Sequence, residues 1–495
     1  MEIIYRVSKN GEGKYQVKKD GSKRALKVFD SKNEAIEFAQ KTAKNQGGKV
    51  IDDTTVVKMI EKEANKKAKK VKNKAKNILL SILALIILSI AGYFGIDLVQ
   101  NPPQKGPSNS VTVEGVTYEN LQFHFLELGN EYTGDSTYIK AGDLDILIDA
   151  GSRSSSAEDI IKYIDKYCTD GKLEYVISTH AHQDHIAGMV GNTKTQEGNT
   201  PKNRDGNDVD RTGIYYYYRI GTIIDFALTD STSKLYSNYQ IARQYAMDRG
   251  AVHYTAANCF NNEGDAKRSF QLTQEISLNI VYNYYYFNSS GDENNYSVCT
   301  LFTYKNSESE HNFLLTGDLE KEGEEEIAKY YDGSTKEKTL PHCDLFKAGH
   351  HGSVSSSNEC LLSIITPDIC TVCCCAGSVE YTANYNNVFP TQEFINRIAK
   401  YTDKVYVTSY YDEKNKKFAS LNGTIIVSSN GIDVAVAASN NLTKLKDSNW
   451  FNEKIYVKDN GKGSFYVSSG AGDENFYNQD TPGAVEKTRR VWPSK

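Results

Sequence analysis

The chain has 495 residues, of which 39% are apolar and 24% charged, with 36 Gly and 9 Pro. That length suits about three domains at ~150 residues each, and the composition excludes a polytopic membrane protein, a collagen-like chain and a Pro-rich disordered one. The net charge of −5 hides an asymmetry: residues 1–77 hold 21 Lys and Arg against 10 Asp and Glu, a net of +11, and the rest of the chain carries −16.

Residues 1–52 read as one small α+β unit. EIIYRVS and KYQVKK alternate with the two-residue period of strands around the turn KNGEG, and ALKVFD is a third short strand. Ser31 stands at a helix N-cap with Glu34 in the capping-box position, and the helix runs up to Gly47-Gly48. This layout resembles the DUF2188 family over about a tenth of the chain. The family brings no biochemical role with it. The segment has neither His nor Cys, so binding or scaffolding with an unidentified protein partner is expected.

Residues 53–77 continue as a Lys-rich helix; Lys58 to Lys76 holds nine Lys against Glu61 and Glu63. From Ile78 to Ile96 nineteen residues carry no charge, about 28 Å of helix, so a membrane-spanning helix is expected over residues 78–97. The lysines would lie against anionic lipid on the cytoplasmic side. The expected topology is single-pass, with the N-terminus cytoplasmic and the acidic body extracytoplasmic. Residues 98–117, with Asn101-Pro102-Pro103, read as a polar stalk.

Beyond the stalk, strand-like LQFHFLELG, STYIKAG and LDILIDAG alternate with helical AEDIIKYIDKYC, the pattern of α/β layers. Residues 192–213 read as a long polar loop, and 441–495 as a β-rich extension, either packed on the body or a small surface-binding module. All nine Cys follow the apolar segment; disulfides fit an oxidising exterior but are not required. Cys373–Cys375 read as part of a buried strand, because neighbouring strand residues face opposite ways and cannot share one metal.

The strongest chemical signal is Thr179-His180-Ala181-His182-Gln183-Asp184-His185, directly after the apolar run LEYVIS. In an extended loop His180 and His182 point to one side and reach one metal, while Asp184 and His185 turn toward another. Four residues cannot hold two ions alone. Three other apolar runs end at an acid or imidazole beside Gly: ILIDAG with Asp149, NFLLTGD with Asp318, and DLFKAGHHGS with His350 and His351. Singly, such ends are mostly turns; together they suggest one shared sheet rim.

Here the sequence resembles the metallo-β-lactamase fold hydrolases, in particular the ComEC-like branch, over residues 118–440. The resemblance rests on Gly134-Asp135-Ser136, ILIDAG, THAHQDHIAG, LLTGDLEKEGE, KAGHHGS and a late NGTIIVSSNG. It implies an αββα sandwich and two divalent metal ions, Zn2+ first and Mn2+ as the alternative. His180 and His182 would hold the first ion; Asp184, His185 and His351 the second, with His351 preferred over His350. Asp318 would bridge the two, and Asp149 would orient a ligand as an acceptor. Many family members place a third His on the first metal. Between Gly188 and Gly317 only His253 and His311 are available, and neither has the right setting. Asn294-Asn295-Tyr296-Ser297 matches the Asn-rich turn of the ComEC-like branch, so Asn295 is a supporting residue or weak ligand.

A metal pair acidifies water and neutralises a developing oxyanion. Asp184 is assigned to proton transfer and His350 to the leaving oxygen or the substrate phosphate. The resemblance implies a phosphodiester substrate, whether DNA, wall polymer or lipid headgroup. Tyr215–Tyr218 and Tyr284–Tyr286 are candidates for base stacking, although packing is the plainer expectation, and a net charge of −16 opposes tight non-specific DNA binding. The alternatives are a metal-binding sensor or scaffold without turnover, and a lactonase or other carboxyl-ester or amide hydrolase.

Overall fold

A computed structural model describes residues 4–52, apart from 10–13, 20–21, 23 and 47, and residues 111–494, apart from 114–115, 119, 335–337 and 468–476. The chain forms two compact units, residues 1–105 and 106–495.

In the first unit Ile4–Lys9, Tyr15–Lys19 and Lys27–Phe29 form an antiparallel ribbon, and Lys49–Asp52 pairs parallel to Ile4–Lys9. The helix Lys32–Gln46 presents Ala35, Ala39 and Ala43, spaced four apart, to Tyr5, Val7 and Val17. Small side chains at that spacing let helix and sheet approach closely. The fourth strand was not foreseen. Its four residues are too few to display an alternation, and the helix acts as the crossover that a parallel pair needs.

The second unit is built on two eight-stranded sheets. In the first, Leu144–Ile148, Lys172–Ser178, Arg219–Asp225 and Val252–Thr255 run parallel. Thr137–Ala141, Leu121–Phe125, Ile425–Ser429 and Val434–Ala438 complete it antiparallel. In the second, Glu310–Leu315, Leu345–Lys347, Ile369–Ala376 and Val405–Asp412 run parallel. The sheets pack face to face: Phe123 of the first stacks on Phe313 of the second at 4.9 Å and meets Phe302 edge-on at 5.2 Å. Helices cover the outer faces. Ser156–Ile164 buries Ala157, Ile160 and Ile164 on the first sheet, and Glu359–Ile365 buries Leu361, Leu362 and Ile365 in the core on the far side of the second. Mixed α/β layers thus surround two large sheets.

Ile369–Ala376 is buried at every position, and all nine cysteines are free thiols. Residues 441–495 hold a three-stranded sheet of Lys454–Asp459 flanked by Ser464–Tyr466 and Val485–Thr488.

The expected single-pass localisation is corrected: no helix among the described residues is long and apolar enough to cross a membrane. The segment 78–97 and the Lys-rich stretch 58–76 lie outside the described residues.

Candidate metal centre

The parallel strands of both sheets deliver chemistry at their C-terminal ends, the usual rim for sites in α/β sheets. Asp149 follows Leu144–Ile148, Thr179 and His180 follow Lys172–Ser178, Asp318 follows Glu310–Leu315, and His350 and His351 follow Leu345–Lys347. Of seven non-Gly residues with positive φ among the described residues, Asp149 (58°), His350 (44°) and His351 (54°) are three. Left-handed backbone at non-Gly residues is costly and clusters where function over-determines the geometry. Gly151 is required by close approach: a Cβ there would sit 1.4 Å from the Asp184 carbonyl oxygen. That contact presses the ILIDAG turn against the start of the helix Gln183–Val190.

Asp184, His185, Asp318 and His351 each offer one ligand atom, all within 4.8 Å of one another. His185 Nε2 is 3.0 Å from Asp318 Oδ2, and His351 Nε2 lies 3.2 Å from Asp318 and 3.3 Å from Asp184. Both imidazoles are oriented from behind. His185 Nδ1 donates to Asp149 Oδ2 at 2.7 Å, and His351 Nδ1 donates to the Cys373 carbonyl at 2.8 Å. Asp149 is itself fixed by the Thr179 N–H and hydroxyl at 2.8 and 2.7 Å.

His180 and His182 form the second arm. Their ring nitrogens approach to 3.0 Å, and the His180 ring lies 4.1 Å from that of His185. His253 pairs instead with Asp225 at 2.7 Å and His311 with Asp344 at 2.8 Å, so neither supplies a third imidazole. Asn295 does not reach the arm either: its carboxamide accepts from the Glu320 N–H and donates to Ser290. Ser297 takes that place, 3.4 Å from His180 Nδ1 and accepting the Asp318 N–H at 3.1 Å.

Lys347 carries no signal in the sequence, and Asp135 stands there only within Gly134-Asp135-Ser136, with no role attached. Lys347, 2% exposed, reaches Asp135 Oδ2 at 2.5 Å, and Asp135 Oδ1 lies 3.3 Å from His351. Asp135, Asp149, Asp184 and Asp318 place four carboxylates around the rim, and among the described residues Lys347 is the one lysine or arginine that an ion pair ties to them. Charge therefore remains to be balanced. Burial would push the imidazoliums down, but Asp318 and Asp149 hold His185 well above its ordinary pKa, and Asp318 and Asp135 do the same for His351. Burial would likewise raise Asp318, yet the two imidazoles hold it well below the carboxylate range. Buried Asp318 Oδ1 has no hydrogen-bond partner, and His351 Nε2 meets Asp318 and Asp184 at ion-pair distance without a well-directed hydrogen bond. Buried polar atoms are normally satisfied, so ligand atoms without hydrogen bonds inside a carboxylate-rich cage fit divalent cations. The His and Asp donor set suits Zn2+ and also accepts Mn2+.

The centre opens through Asp184, His182 and His350 into a cavity of about 690 Å³, also lined by Arg153, Tyr381 and Phe389. His350 Nδ1 donates to Glu320 at 2.7 Å, and Asn294 donates to the same carboxylate at 2.9 Å. Tyr215, Tyr216 and Tyr218 are buried, which removes them as a stacking surface.

Residues 5–55 match the family model for an uncharacterized protein conserved in bacteria, DUF2188, and residues 129–194 match that of the metallo-beta-lactamase superfamily. No curated protein matches. Among solved structures the chain is similar to the metallo-beta-lactamase fold protein YhfI from Bacillus subtilis, at 10% identity and a TM-score of 0.29 over 58% of this chain and 95% of that one. It is also similar to a putative metallo-beta-lactamase from Thermotoga maritima, at 16% identity and a TM-score of 0.19 over 42% and 73%. A Cronobacter sakazakii metallo-beta-lactamase gives 13% identity and a TM-score of 0.25 over 49% and 78%. The comparisons reach the superfamily and not the ComEC-like branch: the chain joins a DUF2188 segment to a domain of metallo-β-lactamase-like fold.

Proposed function

We propose that the chain is a metal-dependent hydrolase of phosphodiesters. The observation that carries the metal dependence is the cage of Asp184, His185, Asp318 and His351, whose ligand atoms converge within 4.8 Å and include buried atoms without hydrogen bonds. His180 and His182 would hold a second, more open position. Ions held there would supply Lewis acidity and a water acidified toward neutral pH.

The protein's own residues account for the rest. Asp184 faces the cavity, accepts from the Tyr381 hydroxyl at 3.1 Å and orients the attacking water, taking part in its deprotonation. The water oxygen forms the new P–O bond as the bond to the leaving oxygen breaks. His350 spends Nδ1 on Glu320, which leaves Nε2 to hand a proton to the leaving oxygen. The phosphodiester class is supported by the ComEC-like motifs and by a cavity lined by both Arg153 and His350.

The test is metal analysis of the purified full chain, followed by turnover of bis(p-nitrophenyl) phosphate with added zinc or manganese. Turnover that is lost in Asp318→Asn together with the metal supports the proposal. Bound metal without turnover of any phosphoester, lactone or amide would return the sensor reading; turnover of lactones or amides alone would move the substrate class.

A further inference from the structure

We infer that Arg490, from the C-terminal segment, is a positioning residue for the cavity wall that carries Tyr381 and Phe389. The inference rests on the hydrolase reading for what the cavity binds. The wall belongs to the loop 377–391, which has little regular structure of its own. Tyr381 is 57% exposed. Phe389 lies 5.6 Å from the His350 ring, 5.9 Å from that of His351 and 6.1 Å from Tyr381. These rings make an aromatic flank directly over the candidate centre.

A loop of this kind needs something to hold its carbonyls. Arg490 supplies it from 100 to 105 residues away. Its side chain is nearly all buried at 3% exposure, and it donates to the carbonyls of Tyr385, Val388 and Pro390 at 2.9, 2.7 and 2.9 Å. The guanidinium also stacks over the Tyr385 ring at 4.5 Å. The planar fork of five donors is what allows one side chain to collect carbonyls from both ends of a turn. Flanking contacts fasten the same loop: the Val491 N–H donates to Gln392 at 2.7 Å, and the Tyr385 hydroxyl donates to the Thr488 carbonyl at 3.2 Å.

Among the described residues Arg490 makes four hydrogen bonds, all to carbonyl oxygens and none to an acidic side chain. Its charge serves the backbone of the wall. The flank it holds is aromatic, so the part of the substrate lying against it is planar or apolar, such as a base or an aryl group.

The test compares full-length wild type with Arg490→Gln, which keeps packing and some donors, and with Arg490→Ala. Hydrogen exchange is followed at residues 379–391 and, as control, at 172–190, alongside zinc content and kinetics on bis(p-nitrophenyl) phosphate. The expected result is exchange at 379–391 faster by about tenfold or more, with 172–190 and zinc content unchanged. KM should rise about tenfold, while kcat stays within about threefold. Unchanged exchange at 379–391 in both variants overturns the inference, as does equal acceleration of the control segment. If wild type turns over no phosphoester, the hydrolase reading fails, and the exchange comparison still decides whether Arg490 holds the wall.

Discussion

The Asp149 carboxylate accepts the Nδ1 proton of His185 at 2.7 Å, and this leaves Nε2 of the ring 3.0 Å from Asp318. One acceptor thereby fixes both the tautomer and the aim of a candidate ligand. Groups placed behind a ligating imidazole contribute about 10–100-fold to metal affinity. Asp149→Asn is the informative variant, because Asn tolerates the positive φ of 58° at this position. Its zinc affinity, measured by competition with a chelator, should fall within that range, while far-UV circular dichroism stays that of wild type.

Lys347 and Asp135 form a pair in which each side chain is 3% exposed. Removing one partner of such a pair leaves an uncompensated buried charge and costs about 3–5 kcal/mol. Lys347→Met should therefore lower the thermal midpoint of the metal-free protein sharply. Adding Asp135→Asn to it should recover much of the loss, because the stranded charge is then gone. Zinc should raise the midpoint of Lys347→Met more than that of wild type, since cations bind beside one more unbalanced carboxylate. Thermal scans of the three proteins, each with and without zinc, check all three points.

Glu324 gives a pH dependence of defined sign. It is fully buried, accepting the Ser357 and Asn358 N–H groups at 2.6 and 2.7 Å. Burial pushes its carboxyl from 4.5 up to about 7, against the pull of these hydrogen bonds and of Arg397. The folded state thus binds a proton that the unfolded state has released. Stability from this group is present below pH 4.5 and is lost as pH rises to about 7, by about 3 kcal/mol at most. Glu324→Gln carries no titrating group there. The difference in unfolding free energy between wild type and Glu324→Gln, from urea melts, should move against wild type between pH 5 and pH 8 and then level off.

Much of the centre was legible because each ligand terminates an apolar run. LEYVIS, ILIDAG, NFLLTGD and DLFKAGHHGS mark strand ends, and parallel strands in paired sheets bring those ends to one rim. What could not be read depends on contacts remote in sequence. Lys347 sits inside a three-residue strand, where a lysine reads as surface until Asp135 is placed beside it. Ser297 replaces the neighbouring Asn295 because the turn at Glu293–Tyr296 directs that carboxamide toward Glu320 and Ser290. Tyr215–Tyr218 follow the plainer expectation of packing over stacking, because Ile214–Tyr217 is one helical turn set into the core. The role of the C-terminal segment emerges only from carbonyls about a hundred positions earlier, which no local pattern encodes.

The assignment of His350 to the leaving group makes a prediction that depends on leaving-group basicity. An alkoxide leaves poorly without a proton, whereas p-nitrophenolate leaves readily without one, so the cost of losing the acid should scale with the pKa of the departing alcohol. His350→Ala should slow hydrolysis of a methyl or dinucleotide phosphodiester by about 10²–10⁴ and that of bis(p-nitrophenyl) phosphate by less than about tenfold. Glu320→Gln keeps an acceptor for Nδ1 but removes the carboxylate that orients the ring, so it should show the same ordering with a smaller loss. Both variants should retain the zinc content of wild type, since neither residue is among the four whose ligand atoms converge. Equal losses on good and poor leaving groups would assign His350 to binding the phosphate instead, because a contact made in both ground and transition states does not discriminate between leaving groups.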